Sequence, residues 1–192
     1  MIRMIKKRLL NALLDLLIVI IPSSLLIIAD AVIKKWAYDS LYAEGGKRDF
    51  IKGFLGFRYA ENTGAAWSIL SDQPWIFISI SVIMVILIFC YLIFGSKRSN
   101  ILLRTSLILF FSGGVGNLID RLFRTGSHFG NRNGFVVDML NFEFIDFPIF
   151  NFADVCVCAG AGLFILYFIV YEIIADYKKE KQMKEALKAD GK

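Results

Sequence analysis

The chain alternates long apolar runs with shorter polar segments, and this pattern predicts helices that cross a membrane. A hydrocarbon core about 30 Å thick requires about 20 apolar residues per helix. Four runs approach this length without a charge at their centres: 16–29, extended on one side through Leu9, then 74–94, 101–119 and 155–171. The first run is too long for a cleaved signal peptide, so we interpret it as a retained span. The pattern therefore predicts an all-α membrane protein with four transmembrane helices.

The basic residues in the short flanking segments predict the orientation of these helices. They concentrate in three places, namely the N-terminus (Arg3, Lys6, Lys7, Arg8), the second connection (Lys97, Arg98, Arg104) and the tail (Lys178, Lys179, Lys181, Lys184, Lys188, Lys192). In the first connection, about 36–73, acidic residues largely offset the basic ones. Both termini are therefore expected in the cytoplasm, and the first and third connections are expected outside.

The composition supports a membrane protein and limits its chemistry. The chain is 57% hydrophobic and carries a formal net charge of +5. Because the excess positive charge lies mainly in the cytoplasmic flanks, where anionic lipid headgroups attract it, no nucleic-acid partner is expected. Cys90, Cys156 and Cys158 all lie in apolar runs, which argues against a disulfide framework or a zinc site. His128 is the only histidine, so a Ser-His-Asp triad is not expected, and neither is a metal or a cofactor.

The chain divides most simply into one membrane domain over 1–175, with an outer cap at about 36–73, and a charged cytoplasmic tail over 176–192. Within the cap, residues 53–60 are aromatic and punctuated by glycine, which favours short β-strands. We expect a small sheet in this first outer connection. The tail has Lys and Glu at helical spacing, which is typical of a solvated helix.

Polar and ionisable residues at a membrane edge are costly and usually have a partner or a task. In the predicted topology eight of them fall near the outer interface: Asp30, Lys34, Asn117, Asp120, Arg121, Asp138, Asn151 and Asp154. They come from the ends of the first and third helices and from the entry to the fourth. Their convergence predicts one site.

Two of these residues, Asp138 and Asp154, are acids flanked by apolar residues. Burial raises the pKa of a carboxyl group unless a partner compensates. Two such groups held together share one proton, so the pair supplies a base and an acid at once, as peptide hydrolysis by water requires. Asp30 and Lys34 have the spacing of an ion pair on one helical face, and Asn151 is placed to cap the fourth helix.

Three other functions remain open at this point. Lys34 could activate Ser68 or Ser112 in a serine–lysine peptidase, although that leaves both aspartates without a role. The acids and Asn151 could coordinate magnesium or calcium in a small transporter, although the polar groups gather at one interface instead of lining a path across the membrane. The third alternative is a non-catalytic assembly factor.

From about Asp30 to Asp154, the chain resembles the lipoprotein signal peptidase family, also called signal peptidase II. Four blocks in the family order carry the resemblance: Asp30 with Lys34; Asn62-Thr63-Gly64-Ala65-Ala66-Trp67-Ser68; Gly113-Gly114-Val115-Gly116-Asn117-Leu118-Ile119-Asp120-Arg121; and Val136-Val137-Asp138 with Phe150-Asn151-Phe152-Ala153-Asp154. Two features depart from the family pattern. The segment 122–137 is longer than usual, and Trp67 and Met139 stand where phenylalanine is usual.

The resemblance implies an aspartic endopeptidase with Asp138 and Asp154 as its catalytic dyad. It implies supporting or substrate-positioning roles for Asp30, Lys34, Asn62, Asn117, Asp120, Arg121 and Asn151, and an outer sheet cradle over the site. The implied substrates are diacylglyceryl-modified prolipoproteins, cut before the lipidated cysteine, and the implied inhibitors are globomycin-type peptides. The implied location is the bacterial inner membrane, in contact with its lipid, with the active site at the extracytoplasmic face.

Overall fold

Four long helices and a small sheet make up the structure, a computed structural model that describes residues 2–64, 74–95, 100–130 and 133–190. The helices are α1 (Ile2–Trp36), α2 (Pro74–Cys90), α3 (Ile101–Phe123) and α4 (Phe152–Asp190). Short π-helical segments continue α1 over Ala37–Leu41 and α2 over Tyr91–Gly95. Each of the four helical stretches is long and apolar enough to cross a membrane, as predicted. Four predicted features lie outside the described residues: motif residues 65–68, and Lys97, Arg98 and Lys192 of the basic flanks.

α1 and α4 extend furthest beyond the apolar runs that predicted them. α1 continues past residue 29 to Trp36, because the charges of Asp30 and Lys34 lie on one face and pair with each other at 2.8 Å. α4 continues through residue 175 to Asp190. In this last part acids and lysines pair along the exposed surface, for example Lys184 with Glu180 at 2.6 Å. The boundary proposed at 175 is therefore a change of composition within one helix, and the domain division remains a prediction.

Glycines let α3 approach its neighbours closely. A Cβ atom at Gly113 would lie 2.4 Å from the carbonyl oxygen of Ala153 at the start of α4. A Cβ atom at Gly116 would lie 2.6 Å from Asp30 Oδ2 on α1. Both distances are shorter than a van der Waals contact, so a larger residue would push α1 and α4 away from α3. These glycines therefore bring three helices together at one level of the bundle.

The sheet is antiparallel, with strands β1 (Lys47–Ile51), β2 (Leu55–Asn62) and β3 (Val136–Phe142) in the order β1-β2-β3. The sequence predicted a sheet from the first connection, and that connection supplies β1 and β2. The third strand was not predicted, because it comes from the connection between α3 and α4. Its pairing with β2 places Asp138 opposite Ala60 and Val136 opposite Asn62.

A buried apolar cluster fixes the sheet to the end of α1. Its fully packed members are Ala37, Leu41, Tyr59, Phe135, Val137 and Met139. Trp36 adds an edge-to-face contact with Phe57, with ring centroids 5.1 Å apart. This end of the bundle, called the sheet end below, also contains the C-terminal end of α3 and the first turn of α4.

Candidate active site

The two acids singled out from the sequence both lie at the sheet end. Asp138 belongs to β3 and is only 2% exposed. Asp154 lies in the first turn of α4. The strand register therefore positions one acid and the start of a helix positions the other.

Asn151 contacts both acids and so brings them into one site. Its side-chain amide donates to Asp138 Oδ1 at 2.6 Å, and its backbone N–H donates to Asp154 Oδ2 at 3.0 Å. Its Oδ1 accepts from the backbone N–H of Asp154 at 3.0 Å, which is the geometry of a helix N-cap. The predicted cap is confirmed, and the structure adds a contact to Asp138 that the cap does not require.

Two further amides hold the remaining carboxylate oxygens. Asn62 Nδ2 donates to Asp138 Oδ2 at 3.0 Å, and Asn117 Nδ2 donates to Asp154 Oδ1 at 2.8 Å. Each oxygen of the two acids therefore accepts one N–H. Donors of this kind fix the carboxyl groups in place and favour their ionised form.

Lys34 forms the centre of a buried charge network beside the acids. It is 1% exposed, and its Nζ lies 2.8 Å from Asp30 Oδ2 and 3.1 Å from Asp120 Oδ2. It also donates to Asn117 Oδ1 at 2.9 Å. These three oxygens surround the ammonium group, two of them as carboxylate charges and one as an amide acceptor. Because an ammonium can only donate, it turns the Asn117 oxygen toward itself and the Asn117 amide toward Asp154.

Arg124 completes the charge balance and is not among the site residues predicted from the sequence. Its guanidinium lies 2.6 Å from Asp120 Oδ1. Lys34 and Arg124 thus face Asp30 and Asp120, so two cations compensate two acids, as buried charges require. The signal was available in the sequence, because Asp120 and Arg124 have the four-residue spacing of a helical ion pair.

The environment of Asp138 raises the pKa of its carboxyl group to about 7. Burial, which disfavours the charged form, is the main cause, and the negative charge of Asp154 adds to it. Hydrogen bonds from Asn62 and Asn151 and the charge of Lys34 act in the opposite direction. Near neutral pH, Asp138 therefore exchanges readily between its protonated and ionised forms.

A cavity of about 720 Å³ opens beside the acids. Its polar wall contains Asn62, Arg121 and Asp154, and its apolar wall includes Phe142, Phe147, Phe150, Val155 and Ala159. Arg121 donates through Nη2 to the carbonyl oxygen of Gly64 at 2.8 Å. Its buried Nη1 has no hydrogen-bond partner among the described residues. The cavity thus combines an apolar surface with the carboxylate of Asp154 and the guanidinium of Arg121.

The predicted site residues therefore meet in one place. Asp30, Lys34, Asn62, Asn117, Asp120, Asp138, Asn151 and Asp154 are joined by direct contacts, and Arg121 lies on the cavity wall next to them. Ser112, a candidate nucleophile, donates instead to the carbonyl oxygen of Ile108 at 2.7 Å within α3. Ser68, the other candidate, lies outside the described residues. The described residues contain no group of three or more His, Cys, Asp or Glu side chains placed to hold a metal.

The sequence is similar to known peptidases over most of its length. Residues 23–170 match the family model described as Peptidase A8, signal peptidase (SPase) II. The chain is 39% identical over 145 residues to a lipoprotein signal peptidase from Latilactobacillus sakei subsp. sakei (strain 23K), covering 76% of this chain and 89% of that protein. It is 38% identical over 150 residues to one from Lactobacillus johnsonii (strain CNCM I-12250 / La1 / NCC 533), covering 78% and 90%.

The fold is also similar to solved structures. A bacterial membrane enzyme determined by the in meso method at 2.3 Å has a TM-score of 0.64 and 28% identity, over 83% of this chain and 87% of that one. A second, at 1.9 Å, has a TM-score of 0.64 and 29% identity, over 82% and 92%. Together with the sequence match, this likeness shows that the chain is a multi-pass membrane protein of the signal peptidase II family of aspartic peptidases (A8).

Proposed function

We propose that Asp138 and Asp154 form the catalytic dyad with which this protein, a lipoprotein signal peptidase by family, cleaves its substrates. The observation that carries the proposal is the pair of contacts from Asn151, at 2.6 Å to Asp138 and 3.0 Å to Asp154. They hold two acids from different elements, β3 and α4, in one site, and Asp154 lines the adjacent cavity. Burial raises the pKa of Asp138 and the charge of Asp154 adds to it, as expected of two acids that share a proton.

The chemistry follows from that shared proton. The ionised member of the pair takes a proton from a water molecule, and the water oxygen attacks the carbonyl carbon of the scissile peptide bond. The protonated member gives its proton to the carbonyl oxygen. When the tetrahedral intermediate collapses, the C–N bond breaks and the amine nitrogen takes up a proton from the dyad. General acid–base catalysis of this kind contributes about a hundredfold to ten-thousandfold per group.

The residues around the dyad support this reaction without taking part in proton transfer. Asn62, Asn117 and Asn151 hold the carboxyl groups, and the Lys34 network holds Asn117. Arg121 lies on the cavity wall, and its guanidinium is the group that we assign to bind a substrate carbonyl. The apolar wall suits the hydrophobic residues of a signal peptide.

The orientation of the protein follows from its charged flanks. Both termini lie in the cytoplasm, because the N-terminal segment and the tail are rich in Lys and Arg. The sheet end then lies at the extracytoplasmic face of the bacterial inner membrane. The contacts between the predicted site residues support this arrangement. They all lie at the sheet end, which is the opposite end of the bundle from the chain termini.

The substrates are diacylglyceryl-modified prolipoproteins, cut just before the lipidated cysteine. Each buried methylene contributes about 0.8 kcal/mol to membrane anchoring, so the acyl chains hold the scissile bond at a fixed depth. A dyad at the membrane edge can attack only a bond held at that depth, and misplacement by about 1 Å costs on the order of a hundredfold in rate. Globomycin-type peptides would inhibit by occupying the cavity beside the dyad.

Purified protein in detergent, given a lipidated and an unlipidated form of one precursor at equal concentration, tests this proposal. Release of the signal peptide is followed on a gel or by mass spectrometry. We expect cleavage of the lipidated form at a rate at least tenfold higher than that of the unlipidated form. A ratio near one would show that the enzyme reads the peptide alone and would remove the basis of the prolipoprotein assignment.

A further inference from the structure

The connection that follows α3, which is longer than usual for the family, folds against two other elements, the end of α1 and β2. Residues 124–130, called the strap below, leave the end of α3 and cross over the end of α1 and the outer part of β2. A hydrogen bond of 2.8 Å from Gly134 N–H to the Arg124 carbonyl oxygen closes the segment. The strap therefore connects α3, which carries Asn117 and Asp120, with β2, which carries Asn62.

Glu61, in β2, is the main anchor of the strap. One carboxylate oxygen accepts from the backbone N–H of His128 and from the Tyr59 hydroxyl, each at 2.8 Å. The other accepts a short hydrogen bond from the Ser127 hydroxyl. Burial and the neighbouring Glu61 raise the pKa of Tyr59 well above its usual range, so the tyrosine remains a donor. Three donors thus converge on one carboxylate.

Aromatic stacking fixes the strap on its other side. The His128 ring lies against Tyr42, with centroids 3.9 Å apart and an interplanar angle of 7°, and against Tyr38 at 4.3 Å. The Tyr38 hydroxyl donates to the carbonyl oxygen of Gly126. The only histidine in the chain is therefore a packing residue between the strap and the end of α1.

The strap is linked to the dyad through two routes of contacts, one from Glu61 and one from Arg124. Glu61 directly precedes Asn62, which donates to Asp138. At the start of the strap, Arg124 pairs with Asp120. Asp120 in turn contacts Lys34, which donates to the Asn117 that holds Asp154. The first route is the shorter, since it crosses only one peptide bond.

We propose that Glu61 is a positioning residue: by holding the strap against the end of β2, it keeps the Asn62 amide on Asp138. This inference rests on the proposed dyad. Without the carboxylate, Tyr59, Ser127 and His128 lose a common acceptor, and the last residues of β2 lose their attachment to the strap. Asn62 then no longer holds Asp138 in one orientation.

The test compares Glu61→Ala with Glu61→Gln in the full-length enzyme, using a lipidated precursor. Gln keeps an acceptor for His128 and Tyr59, and its amide can donate to Ser127 once that hydroxyl rotates. We expect Glu61→Ala to lower kcat about tenfold or more with KM within about twofold, because it misplaces a catalytic acid, while Glu61 itself does not line the cavity and of the cavity wall only the Asn62 side chain is affected. Glu61→Gln should stay within about threefold of the parent. Glu44→Ala is the matched control, since Glu44 is exposed and pairs only loosely with Arg48, at 4.0 Å.

The pH profile separates positioning from direct electrostatics. The hydrogen bond from Asn62 lowers the pKa of Asp138. When Glu61→Ala removes this bond, the pKa of Asp138 rises, and the alkaline fall in kcat moves to higher pH. Removal of a nearby negative charge would move it to lower pH. Asp154, Lys34 and Arg121, the charged groups that face Asp138, are unchanged in this variant.

Three results would overturn the inference. They are an equal loss of kcat in Glu61→Ala and Glu61→Gln, an alkaline fall in kcat that moves to lower pH in Glu61→Ala, and an unchanged kcat in Glu61→Ala. If Glu61→Ala does not accumulate, Ser127→Ala removes a single donor to Glu61 and should show the same upward shift with a loss of about threefold. Failure of the proposed dyad is distinct, because Asp138→Asn would then retain cleavage in the same assay.

Discussion

Replacing Asn151 with serine separates its capping of α4 from the donations of its side-chain amide, to Asp138 Oδ1 at 2.6 Å and to Asn117 Oδ1 at 3.1 Å, and tests the shared-proton dyad. Serine caps helices about as well as asparagine. Its hydroxyl oxygen can therefore accept the hydrogen bond that the Asp154 N–H donates to Asn151 Oδ1 in the parent. Serine is too short to reach Asp138, so the 2.6 Å donation to Asp138 Oδ1 is lost. The variant therefore removes a donor to the dyad while α4 stays capped.

The magnitude follows from the charge that this hydrogen bond stabilises. A hydrogen bond to an ionised group contributes about 1.5–3 kcal/mol, and one pKa unit corresponds to about 1.4 kcal/mol. Because the bond favours the ionised form of Asp138, its loss raises the pKa of that group by roughly one to two units. The pKa of Asp138 is about 7 in the parent enzyme, so we expect about 8 to 9 in the variant.

The sign of the effect on activity is fixed by the shared proton. The pair is active while it holds one proton, and it loses that proton as the pH rises through the pKa of Asp138. The alkaline fall in kcat should therefore be centred near pH 7 in the parent and move upward by about one to two pH units in Asn151→Ser. The maximal rate should fall about tenfold, because Asp138 is held by one amide fewer.

The assay is the pH dependence of kcat for a lipidated precursor between pH 5 and 10, at saturating substrate. Asn100→Ser is the matched control, since Asn100 caps α3 through Leu102 N–H at 3.0 Å and belongs to the opposite end of that helix from the site. Its profile should coincide with that of the parent. Superimposable profiles for Asn151→Ser and the parent would refute the dyad as described, because Asp138 could not then be the group whose proton the reaction needs.

Three other predictions follow from the same structure. Asp138→Asn and Asp154→Asn should each lower cleavage at least a thousandfold while the protein still accumulates in the membrane; near-normal turnover in either would exclude the two-acid mechanism. Lys34→Met should destabilise the protein by about 3–5 kcal/mol in thermal unfolding, because it leaves the buried Asp30 without a cation, whereas Asp120 keeps Arg124; Lys35→Met, at a side chain 77% exposed, should change little. Reporter fusions should read external at Gly45 and cytoplasmic at the C-terminus, and a cytoplasmic Gly45 would place the site on the wrong side.

Much of the architecture could be predicted from the sequence. The four spans are encoded in the length of uninterrupted apolar runs, since lipid accepts only backbones that satisfy their own hydrogen bonds. The grouping of polar residues at the sheet end followed from alternating helix direction alone. The ion pair of Asp30 with Lys34 and the cap at Asn151 followed from local spacing, which acts within one or two turns of a helix.

The rest required the tertiary structure, because it depends on contacts between residues far apart in the chain. β3 joins the sheet only because its register with β2 places Asp138 opposite Ala60. The amide of Asn151 reaches Asp138 across an interface between a helix and a strand that no local pattern describes. The strap is the clearest case: its sequence reads as a polar loop, and only the packed structure shows its His128 between two tyrosines and its backbone on Glu61. Apolar run length and helical spacing act along the chain and can be read from it, whereas strand register and side-chain reach act between elements and are decided only when the chain packs.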